Sequence, residues 1–377
     1  MTQFNSFRPP ERLLLGPGPS PVPQRILDAL ARPTIGHLDP TFIGMMDEVK
    51  ELLRYAFRTN NALTLPVSAP GSAGMEAAFV NLIEPGDTVV VCQNGVFGGR
   101  MRENVVRIGA KAVMVKDAFG TPVDLHKAEA ALKENPGVKA LAFVHAETST
   151  GAASDAAALC KLAREHGALS IVDSVTGLGG IPVEVDAWGA DAIYSGSQKC
   201  LAAPPGLSPV SFGEAALAAL MARKTPVQSW FLDMSLIINY WQGAGARAYH
   251  HTAPINMLYG LHEALVMLHE EGLEASWARH RANHLRLRDG LAALDLELFV
   301  AEAARLPQLN AVKVPDGVDE AAVRRRLLDE HGIEIGAGLG ELAGKIWRIG
   351  LMGAGSTPQN VDRVLGALGE ILQRKAA

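Results

Sequence analysis

Cysteine is scarce in this chain: three residues in 377, Cys92, Cys160 and Cys200, all far apart. No CxxC pair and no Cys/His cluster at ligand spacing occurs, so neither a disulfide framework nor a metal centre is expected, and a reducing compartment fits. An excess of positive charge is also missing. Lysine and arginine number 35 against 40 aspartate and glutamate, a net charge of −5, and that leaves no basic field for a nucleic-acid backbone. No apolar run approaches the ~18 residues of a membrane-spanning helix. The opening MTQFNSFRPPERLLLG has no signal-peptide core, and the final QRKAA is not the peroxisomal tripeptide. Repeats and low-complexity tracts are absent too. The expectation is a soluble cytoplasmic protein without nucleic-acid, membrane or metal partners.

What the chain has is apolar substance, 48% hydrophobic residues, enough for two packed subdomains. Between about 62 and 212, short apolar runs alternate with helical patterns. The runs are TVVVCQN (88–94), AVMV (112–115), ALAFVHA (140–146), LSIVDSV (169–175), DAIYSGS (191–197) and SPVSF (208–212). Their unbroken aliphatic character is that of strands covered on both faces. Helices are expected from Thr121 with Pro122 in the first turn, from Asp155 to Gly167, and near Met75. Past about 255 comes one long amphipathic helical run (257–294). It is followed by a smaller α/β unit with strands at NAVKV (310–314), IEIGAG and KIWRIGL and helices capped by Asp319 and Thr357. The fold class is α/β, with a large, mainly parallel sheet sandwiched by helices and a small C-terminal α/β domain. The divisions expected are a segment 1–19 that serves the active site and a dimer, a large domain 20–256, and a long helix plus small domain 257–377.

In a parallel α/β sheet, ligands sit beyond the carboxyl ends of the strands. Three features lie there. Pro70-Gly71-Ser72-Ala73-Gly74 opens a helix, where free N–H groups favour an anion; it lacks GK[ST] and misses GxGxxG, so it is neither nucleotide loop. Asp173 ends a strand. Lys199, in YSGSQKCLAAPPG (194–206), stands among small residues. Alone, each has a plain explanation as a loop, a cap or a solvated charge. Together, in this chain order, they match pyridoxal 5′-phosphate, which needs an amine, an anion cup and a carboxylate for its ring nitrogen. The lysine's ordinary pKa of ~10.4 must then fall by burial and nearby cations.

The sequence resembles the class V, fold-type I aminotransferases of the alanine–glyoxylate and serine–glyoxylate (serine–pyruvate) group. The resemblance rests on LLLGPGPSPVP, IGHLDPTF, NLIEPGD, VDSVTGLGG, YSGSQKCLAAPPG, YHHTAP and KIWRIGLMG, and spans nearly the whole chain. It implies that Lys199 holds the cofactor covalently and that Asp173 pairs with its ring nitrogen. Gly71, Ser72, Ala73 and Gln198 would serve its phosphate, Phe97 would stack on the ring, and Thr148 would lie near the ring oxygen. Tyr249 and Thr252 would reach the phosphate of a neighbouring subunit, which implies a homodimer with shared sites. Arg348 would bind the substrate carboxylate, beside the backbone at Pro17 and Gly18. Two departures are Pro70, which has no N–H to give the cup, and Phe97, where several relatives carry Trp.

The implied reaction is ping-pong transfer of an amino group from a small neutral amino acid, alanine or serine, to a 2-oxo acid, glyoxylate or pyruvate. Arg348 is the one arginine assigned to substrate, with Arg223 and Arg247 open as second carboxylate readers. The alternatives are a pyridoxamine–pyruvate or ureidoglycine–glyoxylate transaminase, a cysteine desulfurase, and a non-catalytic binding relative. The desulfurase needs a cysteine in the small-domain half, and none follows Cys200. Elsewhere, His250 and His251 are expected to point apart on an extended segment in structural roles, and His145 is open between a cofactor contact and a structural role. Cys200 reads as packing, and Arg324-Arg325-Arg326 as a solvated face.

Overall fold

The computed structural model describes residues 4–242 and 247–373. Seven strands form the large sheet: β1 (Leu63–Val67), β2 (Thr88–Gln93), β3 (Lys111–Lys116), β4 (Ala140–Val144), β5 (Leu169–Asp173), β6 (Ala192–Tyr194) and β7 (Ser208–Phe212). Their order is β1-β7-β6-β5-β4-β2-β3. The pairings β6/β5, β5/β4, β4/β2 and β2/β3 are parallel, as the apolar runs predict. β7 is the exception, antiparallel to both β6 and β1. The link from β6 to β7 is a loop with no crossover helix, so the chain re-enters the sheet from the edge where it left. β1 still points the same way as β2 to β6, and all six carboxyl ends share one edge.

The helices used below are α1 (Pro40–Phe57), α2 (Gly71–Leu82), α3 (Val96–Arg107), α4 (Leu125–Glu134), α5 (Ala156–Glu165), α6 (Ile255–Glu271), α7 (Leu273–Ala293), α8 (Glu320–His331) and α9 (Pro358–Ile371). Asp155, Asp319 and Thr357 cap α5, α8 and α9 with side-chain acceptors, as their sequences predict. Three expectations shift. α4 begins at Leu125, because Asp124 accepts from the His126 and Lys127 amides and so caps the helix three residues late. α2 begins at Gly71, directly after Pro70. The long run 257–294 is two helices, parted at Gly272, whose φ of 84° only glycine adopts readily.

A second sheet holds β8 (Leu309–Lys313), β9 (Gly336–Ala337) and β10 (Ile346–Gly350) in the order β8-β10-β9. The large core extends to Leu273, and the small-sheet core takes up α7 from Leu287 together with Leu15 and Trp347. The N-terminal strand Leu13–Leu14 pairs in parallel with Ile333–Glu334. That pairing leads residues 16–20 from the small sheet across to the loop after β6.

Candidate active site

Asp173 closes β5 with only 2% of its surface exposed. Its Oδ1 accepts from the Val175 amide at 2.9 Å. Burial pushes its pKa up to about 7, against the pull of that amide, and the charge of Glu147 adds to the rise. The Tyr194 hydroxyl, at the end of neighbouring β6, is buried without a hydrogen-bond partner. It lies near enough to Asp173 to pull its titration down slightly against the rise that burial causes.

Lys199 sits in the loop after β6, whose small residues are closed by backbone ties. Ser197 Oγ donates to Pro204 O at 2.6 Å, and the Ala203 amide donates to Ser197 O at 3.1 Å. Ala-Pro-Pro-Gly therefore folds back on its own start. Ser20 pins the lysine from the N-terminal side, with Oγ donating to Lys199 O at 2.7 Å. Lys199 Nζ donates to Pro17 O. Burial first, and the charge of Arg348 second, lower this amine to about 8. Gly18, with φ of +100°, lies so close that any side chain there overlaps the lysine.

Lys199 and Asp173 line one cavity of about 170 Å³ with Pro70, Gly71, Ser72, Met75, Phe97, Arg100, Thr148, Val175 and Gln198. The start of α2 faces it. Among the described residues the Gly71 and Ser72 amides meet no acceptor, whereas the Ala73 amide is taken by Pro70 O at 2.7 Å. Ala73 is not among the lining residues. The Gln198 side-chain oxygen is buried without a partner.

Phe97 is positioned by a cap that comes from elsewhere in the chain. Gly95 offers no side chain to start α3. Instead Ser149 Oγ accepts from the Val96 amide at 2.9 Å and Glu147 Oε2 from the Phe97 amide at 3.3 Å. Glu147 is fully buried, and its other oxygen accepts from Ser149 N at 2.9 Å and Ser149 Oγ at 2.6 Å. Burial raises its pKa, opposed by these hydrogen bonds. Glu147 and Ser149 belong to a short hairpin in which Ala146–Glu147 pairs antiparallel with Ala152–Ala153, and its turn also carries Thr148, whose hydroxyl meets that of Thr176.

Arg348 stands on β10, 5% exposed. Nε donates to Ala337 O at 2.7 Å and Nη1 to Thr148 O at 3.1 Å. Burial depresses it to about 10, with Glu147 opposing. It is thus held by carbonyls alone, with part of its fork free, and its charge is felt at Lys199.

Other expected residues lie elsewhere. Tyr249 and Thr252 are exposed and do not line the cavity. Arg247 pairs with Asp47 on α1 at 2.6 Å, and Arg223 donates to Asn81 O and Ile83 O at 3.0 Å at the end of α2. Both are structural clasps. His145 contacts Ser174 Oγ at 3.2 Å and the edge of Trp188, and burial drops it to about 4, a neutral packing residue outside the lining. Cys200 is buried and pushed up to about 12. Arg324 and Arg326 pair with Glu320 and Glu330 on the surface of α8. His250 and His251 do not point apart: the segment is irregular, and their Nδ1 atoms lie 2.8 Å from each other, with His251 Nε2 2.7 Å from Ser68 Oγ. No metal-binding cluster occurs among the described residues.

Arg100 and Glu147 escaped the sequence reading, and the Pro17 backbone, expected beside the substrate carboxylate, meets Lys199 Nζ instead. Arg100 follows Phe97 by one helical turn, a spacing that carried the signal. Glu147 had none, since its role depends on a helix 50 residues away.

A family model described as aminotransferase class-V matches residues 12–363. Alanine–glyoxylate aminotransferase of Oryctolagus cuniculus is 44% identical over 97% of this chain and 94% of that protein. The (S)-ureidoglycine–glyoxylate transaminase of Bacillus subtilis is 37% identical over 98% and 92%. The crystal structure of alanine–glyoxylate aminotransferase from Nostoc sp. superposes with a TM-score of 0.96 at 46% identity, covering 98% of each chain.

Proposed function

The chain belongs to the class V aminotransferases, and from that premise we propose that it carries pyridoxal 5′-phosphate and moves an amino group from alanine or serine to glyoxylate. The observation that carries this reading is one cavity uniting an amine lowered to about 8, a buried carboxyl and two unclaimed amides at a helix start. That donor set fits the cofactor: Lys199 for the covalent bond, Asp173 for the ring nitrogen, Gly71, Ser72 and Gln198 for the phosphate, Phe97 and Val175 for the ring faces. Bound there, the cofactor supplies an electron-accepting ring for the pair released when the substrate Cα–H bond breaks.

The chain does the rest. Arg348 takes the substrate carboxylate on its free N–H groups and so aims Cα at the lysine. Lys199 Nζ, its amine brought near neutral pH, removes the Cα proton and returns it. Asp173 would hold the proton of the ring nitrogen, and Thr148 would offer its hydroxyl to the ring.

With Arg223 and Arg247 tied into structural clasps and Arg100 set beside the α2 cup, Arg348 is read as the carboxylate reader, which supports a small neutral donor over aspartate or glutamate. Glyoxylate is named for both the O. cuniculus and the B. subtilis relative, so the acceptor has wider support than the donor; the ureidoglycine reading differs only in the donor. We also read the active form as a homodimer in which Tyr249 and Thr252 of each copy complete the neighbour's phosphate site, since both are exposed here. Three buried free thiols support a cytoplasmic setting. The test is a matrix of half-reactions with L-alanine, L-serine, L-aspartate and (S)-ureidoglycine, each followed by glyoxylate or pyruvate. Conversion of the bound cofactor to its amine form by alanine or serine is expected. Conversion by aspartate or ureidoglycine alone overturns the donor assignment.

A further inference from the structure

The cup at the start of α2 is poor in donors. Pro70 has no N–H, the Ala73 amide is taken by Pro70 O, and the helix start is left with two amides and one hydroxyl, beside Gln198 from the loop after β6, to meet a phosphate dianion. Arg100, one turn into α3 past Phe97, lines the same cavity. Its Nη1 donates to Ser72 Oγ at 3.2 Å, and its guanidinium carbon lies 4.8 Å from the Phe97 ring centroid. That position leaves the Ser72 hydroxyl hydrogen free to donate into the cavity. Arg102 on the same helix is neutralised by Glu103. Among the described residues no carboxylate forms an ion pair with Arg100, and its remaining N–H groups have no acceptor. Arg100 is an exposed side chain at the mouth of the cavity, and a guanidinium with an open fork beside a helix N-terminus there is arranged for an oxyanion.

Resting on the pyridoxal-phosphate reading above, we propose that Arg100 binds the phosphate of the cofactor, supplying from α3 the charge and donors that Pro70 removes from α2. The contact to Phe97 links the two tasks: the cation that meets the phosphate also lies over the ring that covers the cofactor.

The test compares two probes that differ only in the phosphate. Apoprotein is titrated with pyridoxal 5′-phosphate and with pyridoxal, following protein fluorescence and the absorbance of the lysine-bound aldehyde. Arg100→Gln is expected to raise Kd for the phosphorylated probe by about tenfold or more while leaving pyridoxal unchanged. Arg100→Lys, which keeps the charge without the fork, should fall between. Equal weakening of both probes means that Arg100 acts only through Phe97, and overturns the proposal. Unchanged affinities with loss of turnover on aspartate alone make it a substrate-carboxylate reader, and overturn it equally. If the unaltered protein itself binds neither probe, the function reading fails as well, an outcome separate from a preference for phosphate that survives in Arg100→Gln.

Discussion

Asp173 and Lys199 are held in states that an unfolded chain does not favour, and that makes each a stability statement as well as a chemical one. The Asp173 carboxyl is raised to about 7 by burial. A carboxyl whose folded pKa lies above its unfolded value near ~3.9 stabilises the fold fully below that value. The benefit is lost as pH rises through about 7. Asp173→Asn is therefore expected to raise the melting temperature of the apoprotein at pH 8 by several degrees and to flatten its decline between pH 4 and 7, while transaminase activity collapses. An apoprotein variant that melts lower at pH 8 contradicts this account. Lys199 runs the other way. Its amine, lowered to about 8, is reactive when neutral, so the rate at which apoprotein captures pyridoxal phosphate should climb as pH rises through about 8. Lys199→Ala should remove the covalent absorbance and cut turnover by roughly 10²–10⁴-fold or more; near-normal turnover would refute the assignment. Arg348→Ala acts on carboxylate binding instead, with a cost on the order of 2–5 kcal/mol read from kcat/KM for alanine. Arg348→Lys loses the fork and should recover little of it.

The elements show where sequence reading succeeds and where it stops. β2, β4 and β5 were legible because strands buried on both faces are unbroken aliphatic runs, and α5, α8 and α9 because Asp155, Asp319 and Thr357 cap them locally. The antiparallel turn of β7 was not legible, since SPVSF looks the same in either direction and only the loop 195–207, without a helix, decides it. The same limit applies to the site. Asp173, Lys199 and the α2 cup sit at strand ends in chain order, a pattern visible in one dimension. The cap of α3 is not, because Ser149 and Glu147 come from a hairpin far along the chain. Ser149→Ala removes the acceptor for the Val96 amide and one donor to Glu147. We expect it to cost about 0.5–2 kcal/mol of stability, the usual toll of a lost N-cap. It should also broaden the absorbance of the bound cofactor as Phe97 loosens. A stability loss with an unchanged cofactor spectrum would show that the hairpin holds the helix without holding the ring.

Across the whole molecule, the residues assigned to the phosphate, from the sequence or through Arg100, divide into two groups. Gly71, Ser72, Gln198 and Arg100 face the chain's own cavity, while Tyr249 and Thr252 face outward, with Tyr249 62% exposed and its ring against that of His37. Trp230, 63% exposed, stacks on His250 beside them. On the homodimer reading proposed above, an outward tyrosine and tryptophan suit a symmetric contact with a second copy, since two-fold interfaces present the same patch from each side. Shared sites have a consequence that independent sites lack. Lys199→Ala alone is expected to be inactive, and so is Tyr249→Ala/Thr252→Ala if the neighbour's phosphate depends on it. Mixed after dissociation and reassociation, the two variants form hybrid dimers in which one site takes Lys199 from one copy and Tyr249 with Thr252 from the other. Random pairing then restores about a quarter of the full-activity sites. Restoration to that level is the expected outcome, measured as alanine-dependent turnover after mixing. A mixture no more active than its components would place Tyr249 and Thr252 outside the neighbour's site and leave each copy to bind the phosphate with its own residues.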